Sequence, residues 1–265
     1  MDFSGKVAIV TGGGGGIGRA TSLGFAKGGA KVVVVDRDQS LGEGTAGILR
    51  QQGGDATFVR ADVTKSADVQ GYVKAALDKY GRIDCFFNNA GIEGKLADTV
   101  DYDEDAFDQV IAVNVRGVFL GLKYVLPAMI KQGSGAVVNT ASVAGLVATP
   151  GMSAYVASKH AVIGLTKAAS GEVARNGVRV NAVCPGPIDT RMIQSIAQTR
   201  APNDPAGFAA GYQQMIPIGR YGRAEEIASL VLFLCSDAAA NMTGGHYVSD
   251  GGRTATGGAF TAVKA

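Results

Sequence analysis

The sequence predicts an α/β fold: a single doubly wound parallel sheet of about seven strands with helices on both faces. Three observations lead there. Short runs of apolar and β-branched residues recur along the chain and end in turn residues. Amphipathic stretches of helical length lie between most of them. The first run passes through a dense glycine turn straight into a helix pattern. Continuous apolar strands belong to parallel sheets buried on both faces, and right-handed crossovers then wind the chain in both directions.

In chain order, KVAIVT (6–11) is the first strand and 17–28 the helix after it. KVVVVD (31–36) is a fully buried strand that closes on a carboxylate, followed by a helix over 40–52. ATFVRAD (56–62) leads to a helix over 66–80, and IDCFFNN (83–89) to a long one over 104–131. In that long helix Phe107, Val110, Ile111, Val115, Val118, Leu122, Val125 and Met129 form one apolar stripe, which Val113, Leu120 and Tyr124 widen. GAVVNTAS (135–142) is the fifth strand, and 154–175 is a helix with the small residues Ala157, Ala161, Gly164 and Ala168. Helices apolar nearly all round are buried on two sides, here the sheet and a partner chain, so a homo-oligomer is expected. VRVNAVCP (178–185), a helix over 224–236 and HYVSD (246–250) complete the alternation. Residues 191–217 carry Met192, Ile193, Ile196, Phe208, Tyr212 and Met215 and read as a mobile apolar lid. One domain therefore covers 1–252, and the tail 253–265 is either loosely ordered or reaches a neighbouring subunit.

Composition narrows the function classes. The net charge of +2 comes from 25 basic and 23 acidic residues, mixed along the 265-residue chain. No Lys/Arg run marks a nucleic-acid or membrane surface, and no apolar run suggests a membrane span. The three cysteines, Cys85, Cys184 and Cys235, lie far apart in apolar segments and read as reduced core thiols. Two histidines without ligand spacing argue against a metal site. The N-terminus runs directly into a strand, with no signal peptide pattern, and a cytoplasmic protein is expected.

The chemistry begins at TGGGGGIGRA (11–20). Gly12, Gly16 and Gly18 sit between a strand and a helix, where glycines permit a tight turn and close approach of a pyrophosphate to the helix N-terminus. Asp36 ends the second strand 18 residues past Gly18, the position of a carboxylate for ribose hydroxyls in a Rossmann-like domain. Further on, SAYVASKH (153–160) places Tyr155 and Lys159 one helical turn apart, in a region otherwise apolar. Alone, that pair also fits a packed ring beside a snorkelling lysine.

Taken in order, these motifs resemble the short-chain dehydrogenase/reductase family over nearly the whole chain. The resemblance rests on Thr-Gly-x-x-x-Gly-x-Gly at 11–18, Asn-Asn-Ala-Gly at 88–91, Asn114 in VNVRG, Ser142, Tyr-x-x-x-Lys at 155–159, Pro185-Gly186 and the late DGG (250–252). It implies an NAD(P)-dependent oxidoreductase of a carbonyl or secondary alcohol, and favours a tetramer. It assigns proton transfer to Tyr155, substrate-oxygen binding to Ser142, and support of both phenolate and nicotinamide ribose to Lys159. Asn114 would hold a water in the proton path. A neighbouring cation favours a phenolate, so Lys159 is expected to lower the pKa of Tyr155. For the cofactor the resemblance implies Gly12, Gly15, Gly16, Ile17, Gly18, Asp36 and Arg37, then Asp62 and Val63 beside adenine. Asn89, Ala90, Gly91 and Val113 follow, with Pro185, Gly186, Ile188 and Thr190 toward the carboxamide and phosphate. Asp36 and the absence of a cation at Gly15 favour NAD over NADP, while Arg37 argues the other way.

Substrate residues are less defined. Ser142 and Tyr155 are joined by Val143, Met192 and Glu93, with Leu146, Val147 and Met152 as a further wall. Arg191 or Arg200 would bind a substrate carboxylate or face water. FFNNAGIEGK (86–95), GSGAVVNTASV (133–143) and RYG (220–222) resemble family members acting on cyclic ketones and alcohols. A 3-oxoacyl-thioester reductase and a non-catalytic NAD(P)-binding sensor remain alternative readings.

Overall fold

The structure, a computed structural model, describes residues 1–256. Seven parallel strands form one sheet in the order β3-β2-β1-β4-β5-β6-β7. They are β1 (Val7–Thr11), β2 (Lys31–Asp36), β3 (Ala56–Arg60), β4 (Cys85–Asn88), β5 (Gly135–Thr140), β6 (Val178–Pro185) and β7 (His246–Ser249). Side chains alternate along each strand, so one strand serves two cores. In β1, Ile9 joins a cluster with Val33, Phe86 and Val137, whereas Ala8 and Val10 join one with Val32, Val34 and Phe87. The first face is covered by α3 (Ser66–Tyr80), the long helix after β4, and α6 (Ser153–Val173), through Tyr72, Val125 and Val162. The second is covered by α1 (Gly16–Lys27), α2 (Gln39–Gln51) and α9 (Ala224–Cys235), through Phe25, Leu49 and Val231. The doubly wound expectation is met in strand number and in layers.

The winding reverses between β1 and β4, and open sheets bind ligands outside the strand ends at such a point. Here Thr11 closes the gap: its hydroxyl oxygen accepts hydrogen bonds from the backbone N–H of Asn89 (2.9 Å) and of Ala90 (3.1 Å). The glycine turn after β1 is thereby held against Asn-Asn-Ala-Gly after β4.

Four stretches differ in detail from the local pattern. First, the segment read as a lid, 191–217, holds two helices, α7 (Arg191–Arg200) and α8 (Pro205–Gln214). Asp204 caps α8, its side chain accepting from Gly207 N–H, and Phe208 stacks on Tyr212 with ring centroids 5.8 Å apart. Second, the helix after β4 runs 29 residues, Glu104–Gln132, and is long and apolar enough to cross a membrane; half of its most apolar window is buried inside the domain. It consists of α4 (Glu104–Ile111), a π turn (Ala112–Arg116) and α5 (Gly117–Gln132). Phe107 lies off the buried stripe and is exposed, because the π turn rotates the two halves relative to an unbroken helix. Third, Ser142 is not in β5 but two residues past its end, where its hydroxyl accepts from Ala144 N–H and caps a short 3₁₀ turn. Fourth, the described start of the expected tail, Arg253–Thr256, lies in a turn: Asp250 accepts from the N–H of Gly252 and of Thr254. The rest of the expected tail lies outside the described residues.

The three cysteines are free and buried. Among the described residues no group of three His, Cys, Asp or Glu side chains is placed to hold a metal ion.

Candidate active site

The glycine turn is shaped by its neighbours. Gly12 and Gly16 have φ of +63° and +48°, which side chains rarely adopt. Gly14 N–H donates to Asp36 Oδ2 at 2.9 Å, and Asp38 N–H to Asp36 Oδ1 at 3.0 Å, so the carboxylate is fixed at the lip of the turn. Gly15, the N-cap of α1, makes no side-chain cap bond, and a Cβ there would meet open space. A helix start without a capping side chain leaves backbone N–H donors for an anion. An uncapped helix start behind glycines, with a carboxylate beside it, fits a dinucleotide.

Asn89 carries the site inward. Its Nδ2 donates to Thr11 O (3.0 Å), and its Oδ1 accepts from Thr140 Oγ1 (3.1 Å). Gly91 lies where a Cβ would stand 3.2 Å from Asn114 Oδ1 and 3.5 Å from Lys159 Nζ. Asn114 itself is 1% exposed. Its Oδ1 accepts from Ile92 N–H (2.9 Å), and its Nδ2 donates to Ile92 O (2.8 Å) and Ser158 Oγ (3.1 Å). The Ser158 hydroxyl in turn donates to Tyr155 O (2.7 Å). Asn114 therefore ties the cofactor-side loop to the first turn of α6, with both amide hydrogens committed to protein.

Lys159 is 4% exposed and donates to Thr140 O at 2.8 Å, with its Nζ 5.4 Å from the Tyr155 ring centroid. Burial of the ammonium pulls its pKa down to about 8, and the Cys184 thiol opposes this weakly. Tyr155 keeps an opening to the cleft, yet burial pushes its phenol up to about 12. Ser142 opposes that rise, and the Glu93 charge adds to it. The phenol is thus raised where a lowered one was expected, because desolvation is the largest cause and Lys159 is not among the groups that shift it.

One cavity of about 610 Å³ joins these parts. At the β2–β3 end it is lined by Gly12, Gly15, Gly16 and Ile17, with Asp36, Arg37, Asp62 and Val63. Burial raises the Asp62 carboxyl, but the Thr64 N–H and hydroxyl, Lys65 and Arg37 outweigh it and hold the pKa low. Arg37 thus lies toward Asp62. An adjoining polar cleft of about 800 Å³ continues past Arg37, Arg60 and Lys65. Asn89, Ala90, Gly91 and Val113 line the middle of the main cavity. Ser142, Val143, Tyr155 and Lys159 line the far end, and Pro185, Gly186, Ile188, Thr190 and Met192 close over it from the loop after β6.

Two predicted contact residues fall outside. Gly18 does not line the cavity; a Cβ there would collide with the Gly12 carbonyl, so it serves the packing of α1 against the turn. Glu93, expected at the substrate, is also off the lining, although its charge acts on the Tyr155 phenol; the next residue, Gly94 (φ +75°), packs against Val110 and Tyr102. Of the expected second wall Met152 lines the cavity, while Leu146 and the exposed Val147 do not. Ile92, Thr140, Thr149 and Arg253 line it although no motif names them as contacts; of the two arginines considered for a substrate carboxylate, Arg191 lines it and Arg200 does not. The first two flank recognised motifs and were open to inference. Arg253 follows the last glycines of the chain in a stretch with no periodicity, and carries no such signal.

The chain is similar to known proteins over nearly its whole length. The family model described as Enoyl-(Acyl carrier protein) reductase matches residues 12–254. The chain is 44% identical over 255 residues to levodione reductase of Leifsonia aquatica, covering 96% of both chains. It is 40% identical over 252 residues to cyclohexanol dehydrogenase of Acinetobacter sp. (strain SE19), covering 95% of this chain and 96% of that one. Among solved structures, levodione reductase superposes with a TM-score of 0.94 at 43% identity, covering 96% and 99% of the two chains. NAD+-bound xylitol dehydrogenase gives 0.90 at 38%, covering 95% and 100%, and an actinorhodin polyketide ketoreductase with NADPH gives 0.89 at 34%, covering 94% and 97%.

Proposed function

Since the chain belongs to the short-chain dehydrogenase/reductase family and is an oxidoreductase of CH–OH groups, we propose that it interconverts a compact, cyclic ketone and its secondary alcohol using NAD(H). The observation that carries this reading is one cavity whose lining includes both Asp36 and Tyr155, so the groups suited to a dinucleotide and those suited to a carbonyl face one space. The names of the relatives, levodione reductase and cyclohexanol dehydrogenase, support a cyclic substrate. When bound, the nicotinamide cofactor supplies or accepts hydride. Gly12 to Ile17 would hold its pyrophosphate, Asp36 and Asp62 its adenosine, and Lys159 its second ribose. Ser142 orients the substrate oxygen, and Tyr155 Oη gives it a proton in reduction and takes one in oxidation. Asn114 and Ser158 hold the α6 turn that carries the phenol. Helices α7 and α8 roof the ring, Met192, Ile193 and Ile196 keeping water out.

The test is a panel of cyclic, aryl and acyclic ketones, 3-oxoacyl thioesters and matching alcohols, with both nicotinamide cofactors. A preference for cyclic ketones and NAD(H) is expected; a preference for oxoacyl thioesters would sink the substrate reading. A 2′-phosphate beside Asp36 meets a like charge, so NAD should exceed NADP by more than about tenfold in kcat/KM. Asp36→Ala should narrow that gap, since Arg37 is already near. A wild type that prefers NADP would overturn the assignment.

The homotetramer is a proposal on separate grounds. Phe107 and Phe119 on the long helix are 39% and 46% exposed, and Ala157, Gly164 and Ala168 leave an open, small-residue strip on α6. Burying such surfaces against a second chain removes apolar area from water. Light scattering should give about four times 27.0 kDa. A monomer mass would refute the association, and Phe119→Glu should weaken it.

A further inference from the structure

The charges along the cavity are not evenly spread. The carboxylates that line it, Asp36, Asp38 and Asp62, are all at the β2–β3 end. On the side of Tyr155 and α7 the charged groups that line it are cations, Lys159, Arg191 and Arg253, while Glu93, whose charge acts on Tyr155, is off the lining. Lys159 is engaged by Thr140 O. Arg191 is the first residue of α7. Arg253 is held differently. Its guanidinium lies 4.7 Å from the centroid of the Tyr212 ring, and one Nη donates to the Tyr212 hydroxyl at 2.6 Å. None of the ion pairs among the described residues includes it. Asp250, the neighbouring carboxylate, feels the Arg253 charge but forms no ion pair with it; its oxygens accept from Gly252 N–H, Thr254 N–H and the Thr254 hydroxyl. A guanidinium has five N–H donors in a fixed fork. One is used, and the aromatic face orients the rest in a cavity whose surrounding walls are Val143, Met152, Met192, Ile193 and Ile196.

We propose that Arg253 recognises a second oxygen of the substrate, a carbonyl or carboxylate oxygen other than the one that reacts at Tyr155. The inference rests on the reading of this cavity as the active site and deepens it: the preferred substrate is a ring with two oxygen functions, not a simple cyclic ketone. Tyr212 is the positioning partner, which fixes the guanidinium plane from α8. Apolar walls raise the value of that contact, because a donor in a poorly solvated pocket loses more when its acceptor is missing.

The test compares cyclohexanone, 1,4-cyclohexanedione and 4-oxocyclohexanecarboxylate in wild type, Arg253→Met and Arg253→Lys. The Asp250 turn does not depend on the arginine side chain, so both variants should fold, as a thermal melt would show. In wild type the two bifunctional ketones should exceed cyclohexanone in kcat/KM. In Arg253→Met they should fall about 10–100-fold, mainly through KM, while cyclohexanone changes by less than about threefold. Arg253→Lys should restore part of the carboxylate arm and less of the dione arm, since a point charge replaces the fork. Equal losses on all three ketones would mean that Arg253 only latches α8 through Tyr212, and would overturn the proposal, as would no change on any. A wild type with no activity on any ketone would instead refute the reading of the cavity, and this inference with it.

Discussion

Tyr155→Phe should lower kcat by about 10²–10⁴-fold in both directions while cofactor affinity changes little, because only the ionisable hydroxyl is lost. The surrounding protein raises the phenol to about 12, chiefly by burial, with Ser142 opposing and Glu93 assisting. At neutral pH the group is therefore a loaded proton donor, suited to reduction. Oxidation needs it deprotonated, so the oxidation rate should climb with pH while reduction falls. Ser142→Ala removes the contact that favours phenolate and should move the oxidation profile further alkaline. The checks are pH profiles of kcat/KM in each direction and cofactor titration by fluorescence. A Phe variant that kept more than about a tenth of wild-type turnover would exclude proton transfer by Tyr155.

Lys159→Met should cost at least about 10²-fold in turnover, weaken cofactor binding, and yet make the protein more stable at pH 7 without cofactor. The sign follows from linkage. The ammonium's pKa falls from 10.5 to about 8 on burial, so the unfolded chain binds protons more readily than the folded one. Below about pH 8 the folded state carries the full penalty of a buried charge; the penalty fades as pH rises from 8 to 10.5. Such a shift is worth about 3 kcal/mol, and loss of the bond to Thr140 O returns roughly 1 of it. The midpoint should rise by about 4–8 °C at pH 7, and the gain should vanish above pH 10.5. A destabilised variant at neutral pH would show that the site does not hold its lysine against a desolvation cost.

The two expectations share a physical cause, which also explains where sequence reasoning stopped. Tyr155 and Lys159 were legible as a pair because helical spacing puts residues four apart on one face. Their electrostatic balance was not, since it depends on how much of the fold closes around them. The spacing argument predicted a lowered phenol; the packed β5, β6 and α6 elements reverse it. Asn114 shows the same division. Its place in a long apolar helix was visible, but its partners Ile92 and Ser158 lie 22 and 44 residues away. The π turn that lets it reach both has no periodic signature.

Strand number, the alternation of helix and strand, the glycine turn and Asp36 all follow from local pattern, because burial on both faces demands unbroken apolar runs and a tight turn demands glycine. Family membership was legible for the same reason: its motifs are short segments with constrained backbones. Strand order placed Thr11 against Asn89, and no local property reports which strands become neighbours. Packing also separated the glycines that line the cavity from Gly18, which lets α1 approach the turn, and left Glu93 off the lining. Arg253 is the clearest case. It lies 98 residues from Tyr155 and 41 from Tyr212 in an aperiodic stretch, and it enters the cavity only because β7 lies beside β6 and its following turn folds back beneath α8. A residue at a fold-dependent distance from its partners has no spacing to read, and only the folded chain brings its charge to the cavity wall.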